Sequence, residues 1–193
     1  MTLRLITAAT ALAVDIDEAK AHLRVTESAE DDLIESMLWA AQDMAEQATG
    51  RALMTQTWEL KQDAFDNQMV LTRVPVQSIT SVNYLNESGN LIVLDPLAYD
   101  LYNADDYGYA SLLPVYETQW PATRIQPEAV VVRYVAGYAN AAAVPQAIKA
   151  WIKLQVSSLY ENRESESYSS RAVSTTVKMS FVDRLLDRYR VWD

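Results

Sequence analysis

Few side chains in this sequence could perform chemistry. The 193 residues include no cysteine and a single histidine, His22. Disulfides, thiolate metal sites and a cysteine nucleophile are excluded, as are metal sites that need several histidines of one chain. Only four glycines are present, which excludes a glycine-rich phosphate loop. A lone histidine without a nucleophile context favours a structural role, so we expect no enzyme, no cofactor and no metal.

One group of carboxylates could bind a divalent cation. Asp15, Asp17 and Glu18 lie close together in the sequence. A calcium-binding EF-hand needs a longer loop with a glycine and a distal glutamate, and both are missing here. Acidic residues at the start of a helix stabilise its positive end. We therefore interpret the three residues as a helix cap.

A group of tyrosines could stack on nucleic-acid bases. Its members are Tyr99, Tyr102, Tyr107, Tyr109 and Tyr116. Stacking platforms are normally combined with a basic groove, yet residues 95–120 contain no Lys or Arg. This argues against base stacking and favours sheet packing or a protein interface.

The last segment, from Ser180 to Trp192, combines helical spacing of apolar residues with several arginines. Arginine and tryptophan are enriched among interface anchors, so the segment is a candidate interface with a partner. Its candidate residues are Arg184, Leu185, Arg188, Tyr189, Arg190 and Trp192. Docking of this helix on its own chain is an equal alternative.

The elements that must position these residues follow from hydrophobic periodicity. Spacing of three and four predicts helices over 16–24, 28–49 and 145–162, after an extended N-terminal arm. Alternation with period two predicts an antiparallel β region of about six strands over 55–136. Residues 1–163 are expected to form one domain, and 164–193 a flexible, serine-rich loop followed by a C-terminal helix. No apolar run approaches the length of a membrane span, and no signal peptide is expected.

The charge is unevenly distributed. Sixteen basic against 26 acidic residues give a net charge of −10. Residues 1–50 carry −7, residues 51–143 carry −5 and residues 144–193 carry +2. An acidic surface repels nucleic-acid phosphates. Solvated helix faces that aid solubility explain this distribution without a further function.

An ordered set of short motifs resembles a known family. It includes Asp17-Glu18-Ala19-Lys20-Ala21-His22-Leu23-Arg24-Val25, Ala48-Thr49-Gly50-Arg51-Ala52-Leu53 and Val132-Arg133-Tyr134-Val135-Ala136-Gly137-Tyr138. The set extends over nearly the whole chain, and only the region after Arg163 departs from this pattern of motifs. It resembles the head–tail connector (adaptor) proteins of tailed bacteriophages and prophages, which have relatives in gene transfer agents.

The resemblance implies a structural virion protein in the neck, assembled in the host bacterial cytoplasm. It implies an α+β fold, mainly an α-helical bundle with an inserted antiparallel β region and a mobile C-terminal segment. The implied partners are eleven further copies in a ring of twelve, the portal protein, and a tail or head-completion protein. Double-stranded DNA would pass through without specific binding, and no membrane is involved.

Within this interpretation the acids of the second helix become a candidate channel or ring surface. They are Asp32, Glu35, Asp43 and Glu46. Twelve copies would carry about −120 charges, and this self-repulsion should keep the isolated chain monomeric or weakly associated at low salt. The alternatives are another neck or tail-completion protein and, with less support, a small ligand-binding domain or enzyme.

Overall fold

The computed structural model describes residues 1–103, 108–162 and 180–191. Its contacts divide the chain into two compact units. We call the first the sheet unit; it contains Met1–Ala11, Gly50–Asn140 and Val191. The second, the helix unit, contains Leu12–Thr49 and Ala141–Arg190. The predicted flexible loop lies in residues 163–179, outside the described residues, as does Trp192. The prediction of one domain over 1–163 stays a prediction.

The helix unit is built on three helices. They are α1 (Ile16–Leu23), α2 (Asp31–Thr49) and α3 (Gln146–Glu161). Helix α1 begins at Asp15, whose side chain accepts a 2.7 Å hydrogen bond from the backbone N–H of Glu18. Helix α2 ends immediately before Gly50, which has a positive φ of 73° and suits the end of a helix. The helices pack through buried aliphatic residues, with Ile34 and Leu38 on α2 and Ile148 and Ile152 on α3.

The described C-terminal segment is less helical than the sequence predicts. A short helix α4 spans Ser180–Asp183, and a 3₁₀ turn spans Asp187–Tyr189. An isolated helix of this length is unstable in water. Packing of the segment against α3 supplies the missing stability, since Leu186 between the two turns is completely buried.

The sheet unit contains a five-stranded antiparallel sheet with the order β1-β2-β8-β4-β5. Its strands are β1 (Thr2–Thr7), β2 (Gln56–Gln62), β4 (Val76–Leu85), β5 (Leu91–Val93) and β8 (Val130–Ala136). The N-terminal arm expected from the sequence is thus an edge strand paired with β2. A tight turn around Gly89 joins β4 to β5, as its turn-forming residues predict.

A second antiparallel sheet has three strands in the order β3-β7-β6. They are β3 (Met69–Leu71), β6 (Tyr99–Tyr102) and β7 (Ala110–Pro114). Side chains from both sheets form one core that includes Leu60, Leu71, Leu112, Val132 and Tyr134. Phe65 stacks on Trp120 at a ring-centroid distance of 4.7 Å and fixes the long loop before β8 over this core.

The expectation of a mainly helical bundle is wrong. The described residues contain three longer helices of 8, 19 and 16 residues and the four-residue α4, beside eight strands in two antiparallel sheets. The protein is α+β with a substantial β portion. The period-two segments 55–136 form a core of their own, so they are not an insertion subordinate to the helices.

Candidate interaction surfaces

The four acids predicted as a surface on α2 do share one face of the helix. At about 100° per residue, Asp32, Glu35, Asp43 and Glu46 fall within about 80° of the helix circumference. Asp32, Glu35 and Asp43 are exposed and Glu46 is half-buried. Asp43 accepts a 2.7 Å hydrogen bond from the side chain of Gln47. We call these four residues the acidic stripe; half-buried Trp39 lies on the same face between its two pairs.

An apolar groove lies beside this acidic stripe, and sequence reasoning missed it. Its volume is about 350 Å³, and Leu33, Met37 and Ala40 of α2 and Leu159 of α3 line it. Leu33, Met37 and Met44 belong to the apolar residues that recur at helical spacing in α2, yet Leu33 and Met44 are exposed. The sequence does indicate a second apolar surface on α2, because the apolar positions of this helix cover more than one of its faces.

The candidate interface residues of the C-terminal segment differ in exposure. Arg184 and Arg188 are exposed, whereas Leu185, Tyr189 and Arg190 are half-buried. The ring N–H of Trp151 on α3 donates a 3.2 Å hydrogen bond to Asp183. Arg190 lies 3.5 Å from the carboxylate of Asp187. The described segment thus docks on its own helix unit and leaves two arginines facing solvent.

The carboxylates around α1 are engaged in packing. The Nζ atoms of Lys153 and Lys149 lie 2.7 Å and 3.5 Å from the Glu18 carboxylate. The hydrogen bond from Lys153 is the main reason why the pKa of Glu18 is lowered; partial burial opposes it. A second ion pair joins Lys20 to Asp31 at 2.6 Å. These contacts, with the Asp15 cap, give the acids structural roles.

The other candidate groups are not assembled for chemistry. In residues 1–103, 108–162 and 180–191, no three His, Cys, Asp or Glu side chains are grouped so as to hold a metal ion. His22 is an exposed residue of α1. Within the same part of the chain, no helix has the length and hydropathy to cross a bilayer.

The tyrosine group is divided between core and surface. Tyr99 is buried in the sheet core, and this burial, with nearby Asp95, raises its pKa. Tyr102, Tyr109 and Tyr116 are exposed, and Tyr107 lies outside the described residues. The exposed members favour a protein interface, since residues 95–120 carry no base.

Exposed apolar and acidic surfaces, together with ionic groups used for packing, are typical of a structural protein that binds other proteins. Comparison with known proteins gives a family match over part of the chain. Residues 13–88 match the family of phage gp6-like head-tail connector proteins. This match confirms the resemblance predicted from the sequence.

Solved structures share the fold over the whole chain. One match is to a chain described as the virion of a native gene transfer agent particle, with 23% identity and a TM-score of 0.77. Another is to the neck of an empty gene transfer agent particle computed with C6 symmetry, with 21% identity and a TM-score of 0.77. A third is to the neck of a native particle computed with C12 symmetry, with 21% identity and a TM-score of 0.70. Each match covers 100% of this chain and 97% of the other. Among curated proteins, no sequence matches this chain significantly.

Proposed function

We propose that the protein is a structural component of a virion neck, a head–tail connector that docks under the portal, extends the DNA channel and provides the surface for tail attachment. The observation that carries this proposal is the fold shared over the complete chain with chains of gene transfer agent particles. The family match over residues 13–88 supports it independently. Cryo-electron microscopy of the particle neck tests it, because the chain must appear there as a ring.

The proposed assembly is a ring, with twelve copies in the particle. Neck structures of similar chains computed with C6 and C12 symmetry support a cyclic arrangement. A net charge of −10 on each copy makes copies repel one another at low salt. We expect a monomer or weak oligomer in isolation and ring closure on the portal. Sedimentation velocity at several ionic strengths checks this: a stable ring at low salt and micromolar concentration would contradict it.

The acidic stripe of α2 is proposed as a channel or ring surface. Exposed carboxylates repel DNA phosphates, so the genome would move along them without adhering. Neutralising the three exposed acids by Asp32→Asn, Glu35→Gln and Asp43→Asn should slow DNA ejection from assembled particles if the stripe lines the channel. Glu87→Gln, in the β4–β5 turn, is a control for altered charge elsewhere. Normal ejection with impaired ring assembly would instead place the stripe between copies.

The exposed arginines of the C-terminal segment are proposed as the portal contact. Leu186 anchors the segment to the helix unit, so deletion after Arg163 would also disturb the body. The double substitution Arg184→Glu and Arg188→Glu changes the exposed side chains only. It should abolish co-sedimentation with purified portal, whereas Arg24→Glu, an exposed arginine after α1, should not. Unchanged portal binding by the double variant would refute this contact.

The remaining candidate is another neck or tail-completion protein with the same fold. The position of the chain along the particle axis separates the two, since a connector contacts the portal and a completion protein lies below it. A ligand-binding or enzymatic role has no comparable support, because the charged groups near α1 are paired in the packing of the helix unit.

A further inference from the structure

The five-stranded sheet ends in two exposed strand edges of different character. Among the described residues, neither β1 nor β5 pairs with a further strand on its outer side. Free edges present unpaired backbone groups and normally carry charges or proline to prevent association. Here both ends expose aliphatic side chains, which makes them candidates for contacts with another chain.

The β5 end carries an exposed apolar ridge. Leu91 and Val93 are 67% and 68% exposed, and Leu97, just beyond the strand, is 84% exposed. Exposed aliphatic groups in one stretch mark protein-binding surfaces. We call Leu91, Val93 and Leu97 the β5 ridge. The β1 end presents Leu5 and Ile6, which are 42% and 39% exposed; together with Arg4 they form what we call the β1 edge.

The sequence segments that carry these two surfaces differ in charge. Arg4 is the single charged side chain in residues 1–14. Residues 74–123, which contain the β5 ridge, have six acids and no Lys or Arg. Arg124 is the first base after this segment, and its side chain lies near Gly89 in the turn before β5. Pairing one β5 ridge with another would bring like charges together, whereas pairing it with a β1 edge would not.

We propose that the β5 ridge of one copy binds the β1 edge of the next copy, so that the sheet units form the head-to-tail contact of the ring. The inference rests on the proposed function, which supplies the ring. Two different, complementary surfaces on one chain make a heterologous interface, and such interfaces close into rings when the rotation between copies permits. The apolar side chains provide the buried centre, and Arg4 opposite the acidic segment fixes the direction.

Cross-linking tests this contact, because the native chain contains no cysteine. The variant Leu5→Cys with Val93→Cys is treated with a bismaleimide linker. Within one chain the two positions lie on strands four spacings apart, about 19 Å. A linker shorter than this separation can therefore join them only between copies. Salt at about 0.5 M reduces the Debye length to roughly 4 Å and so weakens the repulsion between acidic copies.

The inference predicts a ladder of dimers, trimers and larger products from the double variant. Each single-cysteine variant should stay uncross-linked, while a mixture of the two single variants should stop at dimers. Leu5→Cys with Ser28→Cys, at an exposed position between α1 and α2, is the matched control and should give no ladder. When the salt is lowered to about 0.15 M, where charges are less screened, adding Arg4→Glu should lower the cross-linking yield several-fold, and adding Arg24→Glu should leave it unchanged.

Three results would overturn the inference. Dimers from one single-cysteine variant would show a two-fold contact, and a ladder from the control pair would show non-specific association. An absence of ladders, whether the sample sediments as an oligomer or stays monomeric in high salt, would exclude the proposed contact. None of these results would contradict the proposed function, since cryo-electron microscopy of the particle neck tests that function separately.

Discussion

Replacing Leu186 by alanine tests whether the C-terminal segment belongs to the body of the protein. The side chain is completely buried, in the segment whose helix α4 contacts α3. Leu→Ala at such a site removes apolar burial and leaves a cavity, a loss of about 3 kcal/mol in the free energy of unfolding. Because the segment can detach instead of keeping the cavity, this is an upper value.

Chemical denaturation of the full chain measures that loss, and hydrogen exchange locates it. The backbone N–H groups of Leu185 and Leu186 donate to Val182 and Asp183 within the segment, so detachment should remove their protection. Leu97→Ala is the matched control, because Leu97 is almost fully exposed and its loss should cost less than about 0.5 kcal/mol. If Leu186→Ala behaves like this control in both assays, the segment does not dock as described.

Three further predictions concern stability. Glu18→Gln should destabilise the helix unit by about 1 kcal/mol at neutral pH, a value discounted for partial exposure. Because the pKa of Glu18 is lowered from its ordinary value of 4.5, the difference from wild type should disappear as the pH falls through that lowered pKa; a pH-independent difference in urea denaturation would contradict the ion pair. Gly137→Ala should cost at least about 2 kcal/mol, since a Cβ at φ 108° would overlap the backbone carbonyl of Met54; an unchanged melting temperature would refute this. Arg133→Met should lower the free energy of unfolding by about 2 kcal/mol, because buried Glu59 would lose its ion-pair partner at 2.6 Å. Adding Glu59→Gln to Arg133→Met should restore part of this stability, as measured by calorimetry.

The helices were largely predictable because their signals are local. Asp15 and Gly50 mark a helix start and a helix end, and the observed α1, α2 and α3 agree with the predicted ranges to within three residues. The pairing of β1 with β2 was not predictable, because it joins residues fifty or more positions apart. Local alternation reveals a strand, but the partner strand depends on the folding of the whole sheet.

The candidate surfaces were predictable only in part. Counting at helical spacing placed Asp32, Glu35 and Asp43 on one face, as observed. The exposure of Leu33 was not predictable in this way, since periodicity alone does not show which of two apolar faces is covered by a partner. The helical-bundle expectation was wrong because it followed the family resemblance, while the period-two segments already indicated extensive sheet.

Locating the chain in the particle is the most direct test of the central claim, that the protein is a head–tail connector. A cryo-electron microscopy reconstruction of the neck, at a resolution that shows side chains, should reveal a cyclic ring of this chain directly below the portal and around the DNA channel. The two-unit fold and its five-stranded sheet should be recognisable in each copy. A reconstruction in which the ring below the portal is formed by another protein, with this chain elsewhere or missing, would contradict the account.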